Sequence, residues 1–224
     1  DVDFGPDGGA YVADWIEGWD KTGKGRIYRV HDPALAKDAA VRETKKLLGE
    51  GMEKRSLREL SRLLEHKDMR VRLEAQFALA EKKAEATNRL FAAALKNESQ
   101  LARLHAIWAL GQIGRTSRAT LSGLVALLAD PDSEVRAQSA KVLGDARLEE
   151  AYEPLIRLLQ DVSPRVRFFA ALGVGKLGHQ EATEPIFLLL RENADQDPYL
   201  RHAGMMALVW LNDMNALVAA AKDS

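Results

Sequence analysis

Asp130-Pro131-Asp132-Ser133-Glu134-Val135-Arg136 is a helix-start signal leading into an apolar residue and an arginine, and that pair returns along the chain. Val71-Arg72, Ala102-Arg103, Val135-Arg136, Val166-Arg167 and Leu200-Arg201 share one column, their arginines 31, 33, 31 and 34 residues apart. Seven positions after each arginine stand Leu79, Leu110, Leu143, Val174 and Leu208. Six positions after it stand the small residues Ala78, Ala109, Gly173 and Ala207, interrupted by Val142. A register that persists this far separates a true repeat from a chance dipeptide.

Each repeated helix is preceded by another apolar one, clearest in Leu121 to Leu128, Pro154 to Leu159 and Pro185 to Leu190. The turns between them place a capping side chain ahead of a proline at Ser163-Pro164 and Asp197-Pro198, and Asp130-Pro131-Asp132-Ser133 is of the same kind. Each repeat therefore reads as a helical hairpin. One hairpin cannot cover its own apolar faces, so the units must stack into a continuous core, five hairpins with a half hairpin from about Asp213. Because no polar cap closes this end, Ala216, Leu217 and Val218 are expected to be partly exposed.

Two motifs carry a resemblance. Asp130 to Arg136, with Ala106-Ile107-Trp108-Ala109-Leu110-Gly111-Gln112-Ile113-Gly114, resembles HEAT repeats over residues 53–222. The fold this implies is all-α, a right-handed α-α superhelix, and such arrays serve as scaffolds, adaptors and spacers. The resemblance speaks to fold more than to activity.

Residues 1–31 read differently. Val2 to Phe4, Ala10 to Trp15 and Arg26-Ile27-Tyr28-Arg29-Val30 are rich in strand formers and are separated by turn clusters such as Gly5-Pro6-Asp7-Gly8-Gly9. A β-hairpin or three-stranded remnant follows, too small to stand alone. Phe4 to Trp15 followed by Gly25 to Val30 resembles the last blade of a β-propeller of the glucose/sorbosone dehydrogenase type. A propeller running into HEAT repeats is similar to a family of membrane-bound dehydrogenases whose members commonly add a cytochrome c domain with a C-x-x-C-H haem motif. The resemblance implies a piece of a larger secreted or periplasmic redox protein whose chemistry lies in other segments. From Pro33 the pattern is helical, and a linker helix within 33–52 is expected to run to about Leu48 and to end at Gly49 and Gly51.

Composition narrows the function classes. Lys and Arg number 32 and Asp and Glu 33, giving a formal net charge of -1, and the basic residues are scattered among acidic ones rather than gathered into a phosphate-binding stripe. The denser group Arg42, Lys45, Lys46, Lys54, Arg55 and Arg58 reads as a solvated helix face. There is no cysteine, which excludes disulfides, thiolate metal sites and covalent haem attachment within these residues. No apolar run reaches the length of a membrane span.

Several motifs invite a catalytic or cofactor reading. Gly173-Val174-Gly175-Lys176-Leu177-Gly178 matches a dinucleotide fingerprint, but it falls late in a repeat helix, where its glycines are packing residues. Gly18 to Gly25 nearly matches a phosphate-binding loop, yet Gly25 stands where a hydroxyl is needed and a strand follows, so a loop at a blade tip is expected. Asp7, Asp14 and Asp20 could gather around calcium, with turn and capping roles as the alternative. His31, His66, His105, His179 and His202 show no metal-ligand spacing. No catalytic, cofactor-binding or metal residue is assigned.

What remains is a surface. Helical geometry turns the positions one, two, five and nine after each repeated arginine away from the core columns and, in HEAT arrays, toward the concave side. The candidate ridge is Phe77, His105, Trp108, Gln138, Lys141, Phe169, Leu172, His202, Met206 and Trp210, too apolar for an idle surface, the alternative being that curvature tucks several of these side chains against adjacent repeats. The function expected is a non-catalytic protein-interaction module or interdomain spacer within the propeller–HEAT–cytochrome arrangement, the alternative being a free-standing protein-binding scaffold. Its partner is a protein, either a missing propeller or cytochrome domain of the parent or a separate molecule, with no nucleic acid, no membrane insertion and no cofactor.

Overall fold

A computed structural model describes residues 1–15 and 23–222. The chain is a mostly helical repeat solenoid with a small antiparallel sheet at its N-terminus, in two compact units, 1–78 and 79–224.

In the first unit, β1 (Val2–Phe4), β2 (Ala10–Asp14) and β3 (Arg26–Val30) form a sheet of order β1-β2-β3. The register pairs Val2 with Val12, Val12 with Tyr28, and Ala10 with Val30, so these side chains share one face. The tight turn between β1 and β2 needs Gly8 at φ 76° and is closed by Asp7. Asp7 Oδ1 accepts from the Gly9 N–H at 3.1 Å, and Oδ2 accepts from the Tyr11 hydroxyl at 2.9 Å and pairs with Arg29 at 2.8 Å. Asp7 thus has a turn role. Asp14 ends β2, and Asp20 lies outside the described residues, as does most of the phosphate-loop-like stretch, which β3 follows.

The linker helix starts later than its proline suggests. Asp32 accepts from the Ala34 N–H at 2.7 Å, but this start supports only a 3-10 turn at Leu35–Lys37. Asp38 then takes extended backbone and caps α1 (Ala39–Glu50) through the Ala40 N–H, and Gly51 at φ 74° ends it. A capping box at Ser56 and Glu59 opens α2 (Leu57–Leu63), which is followed by α3 (Met69–Glu81). Leu60, Leu64, Val71 and Ala75 are fully buried in this unit.

The second unit contains α4 (Ala84–Lys96) with α5 (Gln100–Gly114), a 3-10 helix (Arg118–Ala129) with α6 (Ser133–Asp145), α7 (Tyr152–Leu158) with α8 (Pro164–Leu177), α9 (Thr183–Asn193) with α10 (Pro198–Leu211), and then α11 (Met214–Ala220). Asp132 caps α6 through the Glu134 and Val135 N–H groups, and Asp197 caps α10 through those of Tyr199 and Leu200. Ser163 departs from expectation. It occupies the N-cap of α8 without a side-chain cap bond, and its own N–H is taken at 2.8 Å by Asp161, whose two-residue reach makes the turn. Leu110, Leu143 and Val174 of the repeated column are fully buried, whereas Leu208 is half-buried. Ala216 and Leu217 are half-buried and Val218 exposed, as expected.

The second helices approach closely because small residues meet. A Cβ built on Gly144 would overlap the Gly173 backbone, and one on Gly175 would overlap that of Ala207. Gly173 and Gly175 lie buried within α8, and Gly178 at φ 82° terminates it, so the dinucleotide-like glycines are packing and capping residues.

Candidate protein-binding face

Adjacent second helices are joined by polar bridges, and the repeated arginines make the deeper set. Arg103 Nε donates to the Ala94 carbonyl at 2.8 Å, and its guanidinium grips both Asp130 oxygens. Arg136 repeats this one layer on, pairing both oxygens of Asp161 at 2.8 and 2.9 Å while Nη1 reaches the Asp130 carbonyl at 2.7 Å. Arg167 reaches the Asp161 carbonyl at 2.8 Å, and Arg201 closes on Asp195. Each arginine thereby ties down its own turn, and two of them also grasp the turn of the next hairpin. Aspartates stand six positions before Arg136, Arg167 and Arg201, a signal present in the sequence but not used in assigning the columns.

Above this ladder lies the candidate ridge. The Trp108 Nε1–H donates to Gln138 Oε1 at 2.9 Å, and Gln138 Nε2 donates to Glu134 at 2.8 Å. Glu134 accepts both Nε and Nη2 of Arg165 at 2.7 and 3.1 Å, and that guanidinium lies 5.2 Å from the Phe169 ring centroid. One chain of contacts therefore runs from α5 across α6 to α8. A second runs from α6 to α10: Lys141 donates to Asp145 at 2.7 Å, Lys176 pairs with the other oxygen of the same carboxylate, and its ammonium lies 5.6 Å from the Trp210 ring. Burial works to raise the Asp145 pKa, but the hydrogen bonds from the two lysines outweigh it and hold the carboxyl below its ordinary value.

The structure sorts the candidate residues. Trp108, Phe169 and Leu172 are half-buried, while Lys141 and Trp210 are exposed, Trp210 by 39%. His105 and Gln138 are buried, at 4% and 6% exposure, which leaves them little to offer a partner directly. His105 instead packs edge-on to Trp108 with ring centroids 5.0 Å apart, so together with Gln138 it fixes the indole. Met206 is half-buried and His202 exposed on α10. Phe77 belongs to the first unit and is 41% exposed there. Asp145 and Lys176 stand nine positions after their arginines, where the sequence reading already puts the face, whereas Glu134 and Arg165 join it without having been singled out. Each pair links positions 31 residues apart, one repeat length, and that spacing could have revealed them.

Among the described residues no group of three or more His, Cys, Asp or Glu side chains is disposed to hold a metal ion, and no helix is long and apolar enough to cross a membrane.

No curated protein matches the chain in sequence. Among solved structures, the phycocyanin lyase complex of CpcE and CpcF from Nostoc sp. is similar in fold, with a TM-score of 0.56 and 21% identity over 73% of this chain and 67% of that one. A designed armadillo repeat protein in complex with the peptide (KR)4 gives a TM-score of 0.49 and 20% identity, covering 69% and 81%. An engineered protein gives 0.48 and 21%, covering 70% and 79%. In sequence, the profile of HEAT repeats matches residues 57–128 and 121–209, more than half of the chain. With its paired helices, capped turns and repeated arginine column, this chain belongs to the HEAT-repeat family.

Proposed function

We propose that the chain is a non-catalytic protein-interaction module whose second-helix face, carrying Trp108, Phe169 and Trp210, receives a partner protein. The observation that carries this reading is the way the face is held. Trp108 is fixed by Gln138 and His105, and Trp210 stands exposed beside Lys176. Large aromatic side chains held in place before binding lose little conformational freedom on association, which suits them to anchor an interface.

The finer reading is an interdomain role in a propeller–HEAT–cytochrome protein located outside the cytoplasm. Support comes from the blade-like sequence of residues 1–31 and from the sheet itself, on which Val2, Phe4, Tyr28 and Val30 expose one apolar face. A strand layer of this kind is stable when another sheet covers it. In a free-standing scaffold, the alternative reading, the sheet would serve as a terminal cap.

The reading frame on both sides of the chain, with absorbance of the full-length product, tests the interdomain role. Propeller blades upstream, a C-x-x-C-H motif downstream and a haem band support it. A start codon directly before Asp1 and no haem leave the free-standing scaffold. Hydrogen exchange tests the site: backbone amides around Trp108, Phe169 and Trp210 should be more protected in the full-length product or its complex than in the isolated chain. Equal protection in both removes the assigned face.

A further inference from the structure

Charge on the face is uneven in one place. A hollow of about 530 Å³ is lined by Asp145, Arg147, Lys176 and Trp210 among others, and a smaller one of about 70 Å³, lined by Lys141, Asp145, Phe169, Leu172 and Lys176, shares two of its walls. The ionic groups are three cations, Lys141, Arg147 and Lys176, and one anion, Asp145. That single carboxylate is already divided between Lys141 and Lys176. Arg147 is exposed, and no carboxylate pairs with it among the described residues. The nearest further acids in sequence, Glu149 and Glu150, lie outside both linings and are bonded to His179 at 2.8 Å and to Ser122 at 3.2 Å. Within the two linings the cations thus outnumber the anion by two, and they border the apolar surfaces of Phe169, Leu172 and Trp210.

We infer that this part of the face takes an extended peptide in which acidic and aromatic or aliphatic residues alternate, its carboxylates entering between Lys176, Arg147 and Lys141 and its apolar side chains lying on Trp210 and Phe169. The inference rests on the protein-binding reading above and specifies the chemistry of the partner. Three separate hydrogen-bonding cations suit carboxylates, which they can meet one by one, and a guanidinium can grip a carboxylate through two parallel hydrogen bonds. Lying edge-on to the surface, an extended strand sends alternate side chains to either side of its own line, so that acids follow one flank and rings the other along the adjoining hollows. A nucleic acid would need a longer basic track than three side chains provide.

Fluorescence anisotropy on the full chain tests this with labelled eight-residue peptides of alternating Glu and Phe, Ser and Phe, or Lys and Phe, and with an oligothymidylate. The Glu-Phe peptide is expected to bind at least tenfold more tightly than the Ser-Phe peptide, to weaken as salt rises, and to lose that advantage when Arg147→Gln and Lys176→Gln are combined. Trp210→Ala should weaken both of these peptides, with circular dichroism confirming that each variant stays folded. Equal binding of the Glu-Phe and Ser-Phe peptides overturns the acidic preference and leaves the protein-binding reading standing. Tighter binding of the Lys-Phe peptide or of oligothymidylate overturns the inference, as does a concentration-dependent dimer that Trp210→Ala abolishes. Failure of every probe while the face is still protected in the full-length product refutes the peptide chemistry alone. Failure of every probe without such protection refutes both readings.

Discussion

At the scale of single residues, the arginine column shows how a repeat can be visible while its purpose is not. Spacing identifies Arg136, but nothing in the spacing says that its guanidinium leaves its own hairpin to hold Asp161 in the next. That pairing depends on layer-to-layer geometry, and both side chains are largely enclosed, with 13% and 9% exposure. Burial pushes the Asp161 carboxyl upward, but the Arg136 hydrogen bond, the Ser163 N–H and the positive field of Arg136 and Arg167 overcome this and hold it below its ordinary value. Because the folded value is depressed, the stabilisation is fully present above the unfolded aspartate pKa of about 3.9 and is lost as pH falls through the folded value. Asp161→Asn retains an oxygen for the Ser163 N–H while removing the charge, and it should cost about 2 kcal/mol at neutral pH. Urea denaturation of both proteins checks it: the difference should be largest near pH 7 and shrink below about pH 4. A difference that does not change with pH would mean that packing, not charge, accounts for the loss.

Elements were legible to the extent that their period was simple. The alternation in Arg26 to Val30 and the turn cluster at Gly5 to Gly9 placed the strands well, since both are local signals. The apolar run Leu121 to Leu128 reads as a helix like the others, but it lies in a stretch, Arg118–Ala129, that is wound as a 3-10 helix. Its buried Leu121, Leu124 and Leu127 recur every three residues, the period of that tighter winding, and Gly123 lies under the Phe91 ring, where a larger residue would collide. Small residues between the second helices carry information of the same kind. A Cβ on Gly144 would meet the backbone of α8, which cannot yield without moving the helix, whereas one on Gly173 would first meet the Leu155 side chain at 3.2 Å. Alanine gains about 1 kcal/mol of intrinsic helix preference at either site. Gly173→Ala should therefore be close to neutral, while Gly144→Ala should destabilise by about 1–3 kcal/mol net of that gain, as overpacking does. Thermal or urea unfolding of the two variants side by side decides it, and equal effects would show that the α6–α8 approach is softer than the backbone contact suggests.

For the molecule as a whole, the sequence proposes a face but does not say which of its residues reach the surface. Position two after the arginine illustrates the difficulty: it is occupied by His105 and Gln138, which are buried, and by Phe169, which is half-exposed. That position lies at the border of the core stripe, and whether it is covered depends on the neighbouring helix, a relation between repeats rather than a property of one. The same dependence governs stability, since in a stack each hairpin is held mainly by its neighbours and the total is close to a sum of intrinsic and interface terms. Within the second unit the α6–α8 interface combines the Gly144–Gly173 contact with the Arg136–Asp161 pair, so most of the coupling between the hairpins on either side passes through one layer. Weakening that layer should divide the unit. In Gly144→Ala, hydrogen exchange at rising urea should show α4 to α6 and α7 to α10 losing protection at different concentrations, where the unaltered chain loses it in one step across these helices. If the variant still opens in a single step, the hairpins are coupled by more than this interface, and α6 and α8 are not the joint of the stack.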